Sequence, residues 1–397
     1  MKIFYPYPEE FTLNKAREIQ TIHTCHALAR QGCEVVLGAA KRPGLDGEAI
    51  LEYFRLAPHP NLKFLFLPRY IHFTRNMVIS FQTLFLHYLQ EYVKESAKTK
   101  RIDLIYTRHL KVADFCLRAR FDLPLVFESH EVFSLGQVDS PLKFQRLFDQ
   151  EKFVYSQVDG LVTISDHLKD YLKQHFPLRA PVLRASDGVD LDLFGALNST
   201  KVDPNLIIYT GSLYGWKGVD TVIKAMRYLS GKRLLILGGT SSEIREKRRL
   251  ASAWRVSDRC VFRGYVSRTE LIRTLEEASI GVLPNHREEI SERFTSPLKL
   301  FEYMAAGKAI VASDLPSIRE ILDERIAWLC PPSAPKSLAE AICAVERDPA
   351  LAMRKVALAR ERVRSFSWDR RAQAVKAFLD EIVRERAEVR DSRLRAA

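Results

Sequence analysis

The stretch FTSPLKLFEYMAAGKAIVASDLPSIREIL, residues 294–322, is ordered as a loop, a short helix and a buried strand. Pro297 suits the start of a helix, where its missing N–H is not needed, and Gly307 suits the left-handed position at a helix end. These two residues predict a helix over 298–306. The apolar run at 308–313 is typical of a strand buried in a parallel sheet.

Two charged side chains share one face of this predicted helix. Lys299 and Glu302 are three residues apart, which places them about 60° apart around the helix axis. The N-terminus of a helix also attracts phosphate, because its first backbone N–H groups are unpaired. A cation and a carboxylate beside a helix start predict a nucleotide-binding site.

The length of the chain predicts two domains, because 397 residues exceed what one hydrophobic core usually supports. We place the domains at 1–185 and 186–365, with a C-terminal helix at 366–397 that packs back toward the first domain. Lys and Arg number 61 against 49 Asp and Glu, and the formal charge of +12 favours anionic partners such as nucleotides, lipid headgroups or nucleic acid.

Strand-like apolar runs alternate with helical periods along the whole chain, which is typical of parallel sheets covered by helices on both faces. A turn-rich passage at 182–194, with polar residues at 198–205, separates two such series as a linker. We therefore expect an α/β fold of two Rossmann-like, doubly wound domains that face each other across a cleft. The predicted strands are 2–7, 34–39, 62–67, 104–107, 125–128 and 160–164, then 206–210, 233–237, 261–263, 280–284, 309–313 and 327–329.

The six cysteines are scattered, with no C-x-x-C pair and no His at zinc-ligand spacing, which indicates core thiols in a reducing compartment and no metal site. The segment at 2–7 runs into Pro and Glu residues without the apolar region of a secretory signal. The apolar segment at 77–89 is too short to span a bilayer. We expect a cytoplasmic protein, or one held peripherally at the inner face of a membrane.

A glycine-punctuated loop follows the first strand of the second series. Gly211, Gly215 and Gly218 let the backbone approach a ligand, and Lys217 can reach a diphosphate as a point charge. A second glycine loop lies at 238–240. Taken alone, the first loop could equally be an ordinary turn with a solvated lysine, and the second could equally be an ordinary turn.

In combination, seven segments resemble the GT-B glycosyltransferases of family 4, the retaining nucleotide-sugar transferases. The similarity covers nearly the whole chain, and the order and spacing of the segments make it specific. In the second half they are the loop through Lys217, FRGYVSRTELIRTLEEASIGVLP at 262–284, EYMAAGKAIVASD at 302–314 and FSW at 366–368. In the first half they are ESHE at 128–131, TISDHLKDYL at 163–172 and DGVDLDLF at 187–194.

The resemblance implies roles for individual residues. Glu302 would accept hydrogen bonds from the ribose hydroxyls, and Lys217 would neutralise the leaving diphosphate. His130 would face the transferred sugar across the cleft, although a packed polar residue is the alternative for this histidine. The nucleobase would lie against Gly264, Tyr265 and Val266, largely through backbone contacts. Further donor-nucleotide residues are Gly211, Ser212, Ser296 and Leu298.

Two positions depart from the family pattern. Members commonly carry an Arg five residues before the phosphate-binding Lys, where this chain has Ser212, and a Glu eight residues before the ribose-binding Glu, where it has Phe294. We expect Lys299 to supply the missing positive charge, because stabilising the leaving group requires a cation. The donor-sugar contact would fall to acidic residues of the preceding loop or to backbone amides near Ser296, with a solvated loop as the alternative. The candidates are Glu288, Glu289, Glu292 and Thr295.

The acceptor side also departs from the pattern, because PYPEEFTLNKAREIQ replaces a glycine-rich first loop. Asn14, Lys15 and Arg17 at the start of a predicted helix over 14–31 would direct a positive end toward an anionic acceptor, with a helix cap plus surface charge as the alternative. Aromatic and basic residues interleave over 63–92, which fits either a membrane-facing surface or buried packing. No recognised nucleic-acid module accompanies the charge, so we expect no nucleic-acid partner.

The resemblance implies transfer of a hexosyl or N-acetylhexosaminyl unit from a UDP-, GDP- or ADP-linked sugar to a glycan or lipid-linked acceptor, with retention, as in surface polysaccharide assembly. It implies neither a metal nor another cofactor, since GT-B enzymes use basic residues and helix dipoles in place of a metal. Two alternatives remain: a nucleotide-sugar 2-epimerase of the same architecture, and a catalytically impaired assembly partner, which Ser212 and Phe294 would suit.

Overall fold

A computed structural model describes residues 1–68, 70–74, 77–80, 82–99, 101–195 and 202–396. The chain divides into two compact units, one formed by Met1–Ser186 with Trp368–Ala397 and the other by Asp187–Ser367. The sequence places the corresponding boundaries after residues 185 and 365, and it assigns the C-terminal helix to the side of the first domain.

The first unit is built on a seven-stranded sheet in which every neighbouring pair of strands is parallel. Its strands are β1 Lys2–Tyr7, β2 Glu34–Ala40, β3 Leu62–Leu67, β6 Leu104–Thr107, β7 Leu125–Ser129, β8 Gly160–Thr163 and β9 Val182–Arg184, and an antiparallel hairpin pairs β4 Tyr70–Thr74 with β5 Met77–Ser80. The sheet order is β3-β2-β1-β6-β7-β8-β9. Its helices are α1 Ala16–Arg30, α2 Gly47–Phe54, α3 Gln82–Lys98, α4 Leu110–Ala119, α5 Pro141–Gln157 and α6 Asp166–His175.

The six strands predicted for the first half are present, and each bound lies within one residue of its predicted place. The predicted linker over 182–194 is wrong at its beginning, because Val182–Arg184 is a seventh strand. Val182 pairs in parallel with Leu161 of β8 at the edge of the sheet. The strand is only half-buried and lies between Pro181 and the turn-rich residues 185–188, so the turn signals outweighed its two apolar residues.

The second unit has a six-stranded parallel sheet in the order β12-β11-β10-β13-β14-β15. These strands are β10 Asp203–Thr210, β11 Arg233–Leu237, β12 Cys260–Phe262, β13 Ala278–Leu283, β14 Ala309–Ser313 and β15 Trp328–Cys330. Its helices are α7 Leu191–Gly195, α8 Val219–Ala225, α9 Ser241–Ala253, α10 Arg268–Glu277, α11 Glu289–Arg293, α12 Leu298–Ala305, α13 Pro316–Arg319, α14 Pro335–Arg347 and α15 Pro349–Val363. The C-terminal helix α16, Trp368–Ala396, returns to the first unit.

The central strand β10 shows why the second sheet is covered on both faces. Ile207 and Tyr209 belong to one buried apolar cluster, whereas Leu206 and Ile208 belong to another on the opposite face. Successive side chains of a strand point to opposite faces, so a strand buried on both sides reads as one apolar run. This pattern confirms the predicted fold class of two Rossmann-like, doubly wound domains.

The strand order of the second sheet predicts where a ligand would bind. The chain leaves β10 toward β11 on one side and returns to β13 on the other, so the direction of winding reverses between β10 and β13. In open α/β sheets, ligands bind outside the carboxyl ends of the strands at such a reversal. This rule therefore predicts a ligand site at the loops that follow β10 and β13.

Two expectations drawn from composition can be compared with the fold. All six cysteines are free thiols, and five of them are buried, as predicted for core thiols. Among the described residues, no helix combines the length and the apolar character needed to cross a bilayer.

Candidate functional site

Three glycine loops meet at the carboxyl ends of β10, β11 and β12. The Gly211 N–H donates to the Leu237 carbonyl at 2.8 Å, and the Gly238 N–H donates to the Gly264 carbonyl at 2.5 Å. Gly211 and Gly238 have φ values of 122° and 117°, which side chains rarely tolerate. A Cβ atom added at Gly238 would overlap the Gly211 carbonyl. The loops therefore pack backbone against backbone, and only glycine fits.

Lys299 reaches into this group of loops from the first turn of α12. Its Nζ lies 3.6 Å from the centroid of the Tyr209 ring and beside Gly211. The residue is 7% exposed, and its Nζ has no hydrogen-bond partner among the described residues. Burial lowers the pKa of Lys299 well below its ordinary value, repulsion from Lys217 lowers it further, and Glu302 opposes the change.

Lys217 lies in the loop after β10, with its Nζ 3.7 Å from the centroid of the neighbouring Trp216 ring. Burial lowers the pKa of this ammonium group to about 7. The loop is held against the segment that follows β13, because the His286 N–H donates to the Trp216 carbonyl at 2.9 Å. Gly218, at φ 70°, packs directly on the Pro284 carbonyl, where a Cβ would overlap it.

The positive charges of Lys217 and Lys299 are not balanced by nearby negative charges of the described residues. Each is a cation whose charged form is disfavoured by burial, and within the part of the chain that the structure describes no carboxylate forms an ion pair with Lys217 or Lys299. A buried ammonium group without a partner is costly, and a polyanion would restore the favourable charged state of both. The sequence predicted both residues, and the structure brings them to the same loops.

Glu302, one turn after Lys299 on α12, is engaged by a side chain that the sequence did not indicate. Arg268 NH1 donates to Glu302 Oε1 at 2.7 Å, and both side chains are buried. The Arg268 guanidinium also lies over the Phe194 ring, 4.7 Å from its centroid. Arg268 begins α10 two residues after Val266. This position, next to the predicted nucleobase segment, is the feature of the sequence that could have identified it.

The start of α12 is close to its prediction. The helix spans Leu298–Ala305, against 298–306 predicted, and Pro297 is its N-cap rather than its first residue. The Ser296 hydroxyl accepts a hydrogen bond from the Asp187 N–H at 3.3 Å, and Thr295 is buried. Ser296 and Leu298 are half-buried beside the helix start.

The three residues predicted to contact the nucleobase, 264–266, differ in backbone conformation and in exposure. Gly264 has a φ of 59° and accepts the Gly238 N–H through its carbonyl. The Tyr265 side chain is largely exposed, whereas Val266 packs against the buried cluster that contains α12. This segment and Glu302 therefore share one side of the second unit, with Arg268 between them in sequence and in contact with Glu302.

The acidic candidates lie between β13 and α12. Glu288 is the N-cap of α11, Glu289 is exposed, and Glu292 lies 3.9 Å from the Arg287 guanidinium. Phe294, where relatives of the proposed family commonly have a glutamate, is buried. The structure thus leaves the three acids near the surface of a short helix and gives them no contact with the two lysines.

In the first unit, His130 follows β7 and rests on a buried carboxylate. Its Nε2 lies 2.7 Å from Glu128 Oε1, and burial, with the charge of Arg108, lowers the pKa of His130 to about 4. The ring is therefore neutral at physiological pH. Since Nε2 must donate to the carboxylate, Nδ1 is left as an acceptor.

Glu128 is the centre of a polar network that the sequence did not reveal. Burial would raise the pKa of this carboxyl group, yet the charge of Arg371 and the hydrogen bond from His130 outweigh it and hold the pKa well below its usual range. Arg371 comes from α16 and donates at 2.5 Å, and Gln20 of α1 donates at the same distance. Tyr106 also donates to this carboxylate.

The prediction of an open positive helix end at Asn14, Lys15 and Arg17 is corrected by the structure. Glu9 forms ion pairs with Lys15 at 3.6 Å and with Arg17 at 2.6 Å. The buried Glu18 carboxylate accepts the N–H groups of Asn14 and Lys15. A carboxylate of the protein therefore already occupies the place where an anion would bind, and the alternative of a helix cap describes this region better.

The aromatic and basic stretch at 63–92 lies partly outside the described residues, since the side chains of 69–82 are not described. In the described part, Phe64 stacks on Phe66 with ring centroids 6.0 Å apart, and Phe85 is buried. These three rings favour packing within the first unit.

Comparisons with known proteins agree with this architecture. The family described as Glycosyltransferase Family 4 matches residues 18–193, and the family described as Glycosyl transferases group 1 matches residues 204–348. A glycogen synthase of Mycobacterium tuberculosis is 29% identical over 292 residues, which cover 69% of this chain and 67% of that protein. A D-inositol 3-phosphate glycosyltransferase of Xylanimonas cellulosilytica is 27% identical over 285 residues, or 66% of each chain.

Two solved structures share the fold. A sucrose-phosphate synthase from Thermosynechococcus elongatus superposes with a TM-score of 0.77 at 21% identity, covering 96% of this chain and 98% of that one. The Anabaena protein HepE in complex with UDP and glucose has a TM-score of 0.72 at 16% identity, with 96% and 99% covered. The two family matches together span both units, so the chain belongs to the group 1 glycosyltransferases of family 4, and its two Rossmann-like domains have the GT-B fold.

Proposed function

We propose that this glycosyltransferase uses a nucleoside-diphosphate sugar as its donor, and that the loops after β10, β11 and β12 bind the nucleotide. The observation that carries the proposal is the pair of lysines at these loops, of which Lys217 is half-buried and Lys299 is buried. No carboxylate of the described residues forms an ion pair with either of them. A diphosphate has the charge and size to contact both. The HepE structures that contain UDP and UDP-glucose support a UDP-linked hexose as the first donor to test, ahead of GDP- and ADP-linked sugars.

Glu302 and Arg268 would act together on the ribose. Arg268 engages Oε1 of Glu302, which leaves Oε2 to accept hydrogen bonds from the ribose hydroxyls. A carboxylate held by a buried guanidinium cannot turn away without leaving both charges unpaired, so its orientation is fixed by the protein itself. Gly264, Tyr265 and Val266 would then contact the base.

The proposed reaction retains the configuration at the anomeric carbon. An acceptor hydroxyl forms the new C–O bond on the face from which the diphosphate leaves, and the departing phosphate oxygen takes the hydroxyl proton. Lys217 and Lys299 neutralise the negative charge that builds on the leaving group, which is the task of a cation at this position. The residues in this role need no metal, and metal independence stays a prediction.

The proposed acceptor and cellular location are argued from the net charge of the chain and from His130. The net charge of +12 suits a lipid-linked or polyanionic glycan acceptor, as in surface polysaccharide assembly at the inner face of a membrane. His130 is proposed to contact the transferred sugar, and its neutral ring with Nδ1 as an acceptor suits a sugar hydroxyl. Ser212 and the buried Phe294 favour the alternative of a catalytically impaired protein.

A thermal-shift panel of UDP, GDP, ADP and their sugar conjugates tests the donor assignment. A ligand that binds only the folded state raises the apparent melting temperature, by an amount that grows with its concentration over Kd. We expect one nucleoside diphosphate to raise it more than the other two. No shift with any of them would contradict the proposal and support a non-enzymatic role. Epimerised nucleotide sugar in the absence of acceptor would favour the 2-epimerase.

The ribose role makes a separate prediction. Glu302→Gln keeps an acceptor for Arg268 but loses the charge, so nucleotide affinity should fall by about 1.5 kcal/mol or more, as for other hydrogen bonds to charged groups. Calorimetry measures the change. Glu277→Gln, an exposed glutamate at the end of α10, is the matched control. Equal affinities of the two variants would rule out the ribose contact.

A further inference from the structure

The first unit contains a groove of about 680 Å³ between α3, α4 and α5. This volume lies within the range of about 300–1,000 Å³ that is usual for small-molecule sites. Leu86 of α3, Phe115 of α4 and Leu147 of α5 line it from three sides and give it an apolar wall. The loops that would bind the donor belong to the second unit, so the groove is no part of that site.

The charged residues of the groove are basic. Lys111, Lys143 and Arg146 line it, and no acidic residue is among the described residues that do so. Lys143 and Arg146 are exposed and form no ion pair or hydrogen bond with another described residue. An apolar wall with unneutralised cations at its mouth fits a ligand that has both an apolar chain and an anionic group.

Large apolar side chains stand next to these cations. Leu142, the neighbour of Lys143, is 87% exposed, and Val138 in the preceding loop is 60% exposed. A single exposed leucine needs no explanation, but here two exposed apolar residues adjoin a basic groove within nine residues of sequence, 138–146. Exposed apolar groups flanked by Lys and Arg are typical of surfaces that lie in a membrane interface.

The groove opens at a defined end of the sheet. Lys111 near the start of α4, and Lys143, Arg146 and Leu147 in the first half of α5, line the groove, and Gln137 belongs to the connection from β7 to α5. A helix that follows a strand of a parallel sheet begins at the carboxyl end of that strand. His130 begins the same connection, so the groove and His130 lie toward the same end of the first sheet.

We propose that this groove docks an anionic lipid of a membrane surface. Lys143 and Arg146 would bind the phosphate of the headgroup, the start of the acyl chain would lie along Phe115 and Leu147, and Leu142 would enter the headgroup region. The inference rests on the proposed function, because a docked membrane would present a lipid-linked acceptor at the end of the sheet where His130 lies. It adds to that function a named lipid-binding surface.

Flotation with lipid vesicles tests the proposal on the full chain. The protein should bind vesicles of equal parts phosphatidylcholine and phosphatidylglycerol and should not bind phosphatidylcholine alone. Lys143→Ala with Arg146→Ala should weaken binding by roughly tenfold or more, since each basic residue near an anionic surface contributes about fivefold. The control, Lys152→Ala with Lys173→Ala, removes two exposed lysines outside the groove. Equal loss in both double variants would overturn the groove as the binding site.

A second variant distinguishes lipid binding in the apolar groove from electrostatic attraction to the vesicle surface alone. Leu147→Ser keeps every charge and removes part of the apolar wall, so vesicle binding should fall severalfold while circular dichroism stays unchanged. Unchanged vesicle binding would overturn the lipid assignment. Binding of inorganic phosphate together with no vesicle binding would show a site for a free anion and would also overturn it.

Donor binding is measured in the same proteins so that the two proposals fail separately. Lys143→Ala with Arg146→Ala should leave the thermal shift with nucleoside diphosphate as it is in the unmodified protein. A protein that binds vesicles through the groove but no nucleotide would contradict the proposed function only. A protein that binds nucleotide but no vesicles would contradict the lipid proposal only.

Discussion

The Lys299 side chain is buried and basic, and its Nζ has no hydrogen-bond partner among the described residues. Its Nζ lies over the Tyr209 ring, and the Tyr209 hydroxyl donates to the Ser212 carbonyl at 2.6 Å. The lysine is therefore one side chain away from Ser212, the position at which the family resemblance led us to expect an arginine. This contact gives a physical basis for the expectation that Lys299 replaces the missing charge.

Substitution of Lys299 should separate activity from stability. Lys299→Ala should lower turnover by about a hundredfold, and Lys299→Arg should lower it far less, because a cation at the leaving group stabilises the transition state. Without ligand, Lys299→Met should melt at the same or a higher temperature than the unmodified protein, because it removes a buried unpaired charge. Steady-state kinetics and thermal unfolding provide the two readouts.

Arg227→Ala, an exposed arginine of the same unit, is the control for Lys299 and should change neither readout. Near-native turnover of both Lys299→Ala and Lys299→Arg would exclude a role for this ammonium group in catalysis.

The pKa of Lys217 predicts a pH dependence of nucleotide binding. Burial lowers that pKa to about 7, and a bound diphosphate would favour the charged form and so raise it. Above pH 7 binding must therefore take up a proton, and affinity falls as the pH rises from 7 toward the ordinary lysine value of 10.5. Calorimetry in two buffers of different ionisation enthalpy measures the uptake.

Lys217→Arg provides the comparison, because arginine stays charged over this range. The variant should take up fewer protons on binding, with the remainder assigned to Lys299. Identical proton uptake in both proteins would mean that Lys217 does not titrate in the site.

At the scale of elements, the loops that follow β10, β11 and β12 depend on glycines that allow backbone to touch backbone. Gly211, Gly238 and Gly264 close three consecutive strand ends against one another, and Gly218 closes the loop of Lys217 against Pro284. Among the described residues the ammonium groups of the two lysines form no hydrogen bond, so these backbone contacts position the lysines. Loop geometry should therefore be sensitive to a single added methyl group.

Gly238→Ala and Gly231→Ala form a matched pair at this scale. Both glycines have positive φ, 117° and 75°, but a Cβ at Gly231 would meet no atom within 4 Å, whereas one at Gly238 would overlap the Gly211 carbonyl. Gly231→Ala should cost about 1–2 kcal/mol for its backbone conformation. Gly238→Ala should cost at least about 1 kcal/mol more, through overlap. Urea unfolding compares them, and equal costs would contradict the backbone contact.

At the scale of the molecule, the end of the chain completes the first unit. Trp368 at the start of α16 stacks on His23 with ring centroids 5.2 Å apart, and Arg386 lies 3.2 Å from Asp159. Arg371 supplies the positive charge for the buried Glu128 beneath His130. The C-terminal helix is thus part of the core of a domain that begins at Met1.

Arg371→Ala should destabilise the protein by about 3–5 kcal/mol, because it leaves the Glu128 carboxylate buried without a cation. Arg384→Ala, an exposed arginine on the same helix, is the control and should change stability by less than about 0.5 kcal/mol. Chemical unfolding at neutral pH measures both. Equal, small changes would mean that the network around Glu128 does not depend on Arg371.

The same variant should show an altered acid dependence. The pKa of Glu128 is lowered in the folded protein, so its stabilising contribution is present above the unfolded value of 4.5 and is lost as the pH falls below it. Without Arg371 that contribution is largely absent already. The stability difference between the two proteins should therefore narrow on acidification below pH 4.5.

The sequence alone determined the features that depend only on residues close together along the chain. Apolar periodicity predicted the strands of both sheets, and Pro297 with Gly307 predicted α12, because helix ends and left-handed positions restrict residue type locally. Lys217, Lys299 and Glu302 could be named because they stand at fixed distances from these local signals. The three-residue strand β9 gave no such signal and was missed.

Only the tertiary structure decided which charges are neutralised. Arg268 reaches Glu302 across 34 residues of sequence, and Arg371 reaches Glu128 across 243. Glu9 and Glu18 neutralise the helix start that the sequence left open for an anion, whereas the Lys299 ammonium group has no hydrogen-bond partner among the described residues. The physical reason is that periodicity records which side chains are buried, while the partner of a buried charge depends on how the folded chain brings distant segments together.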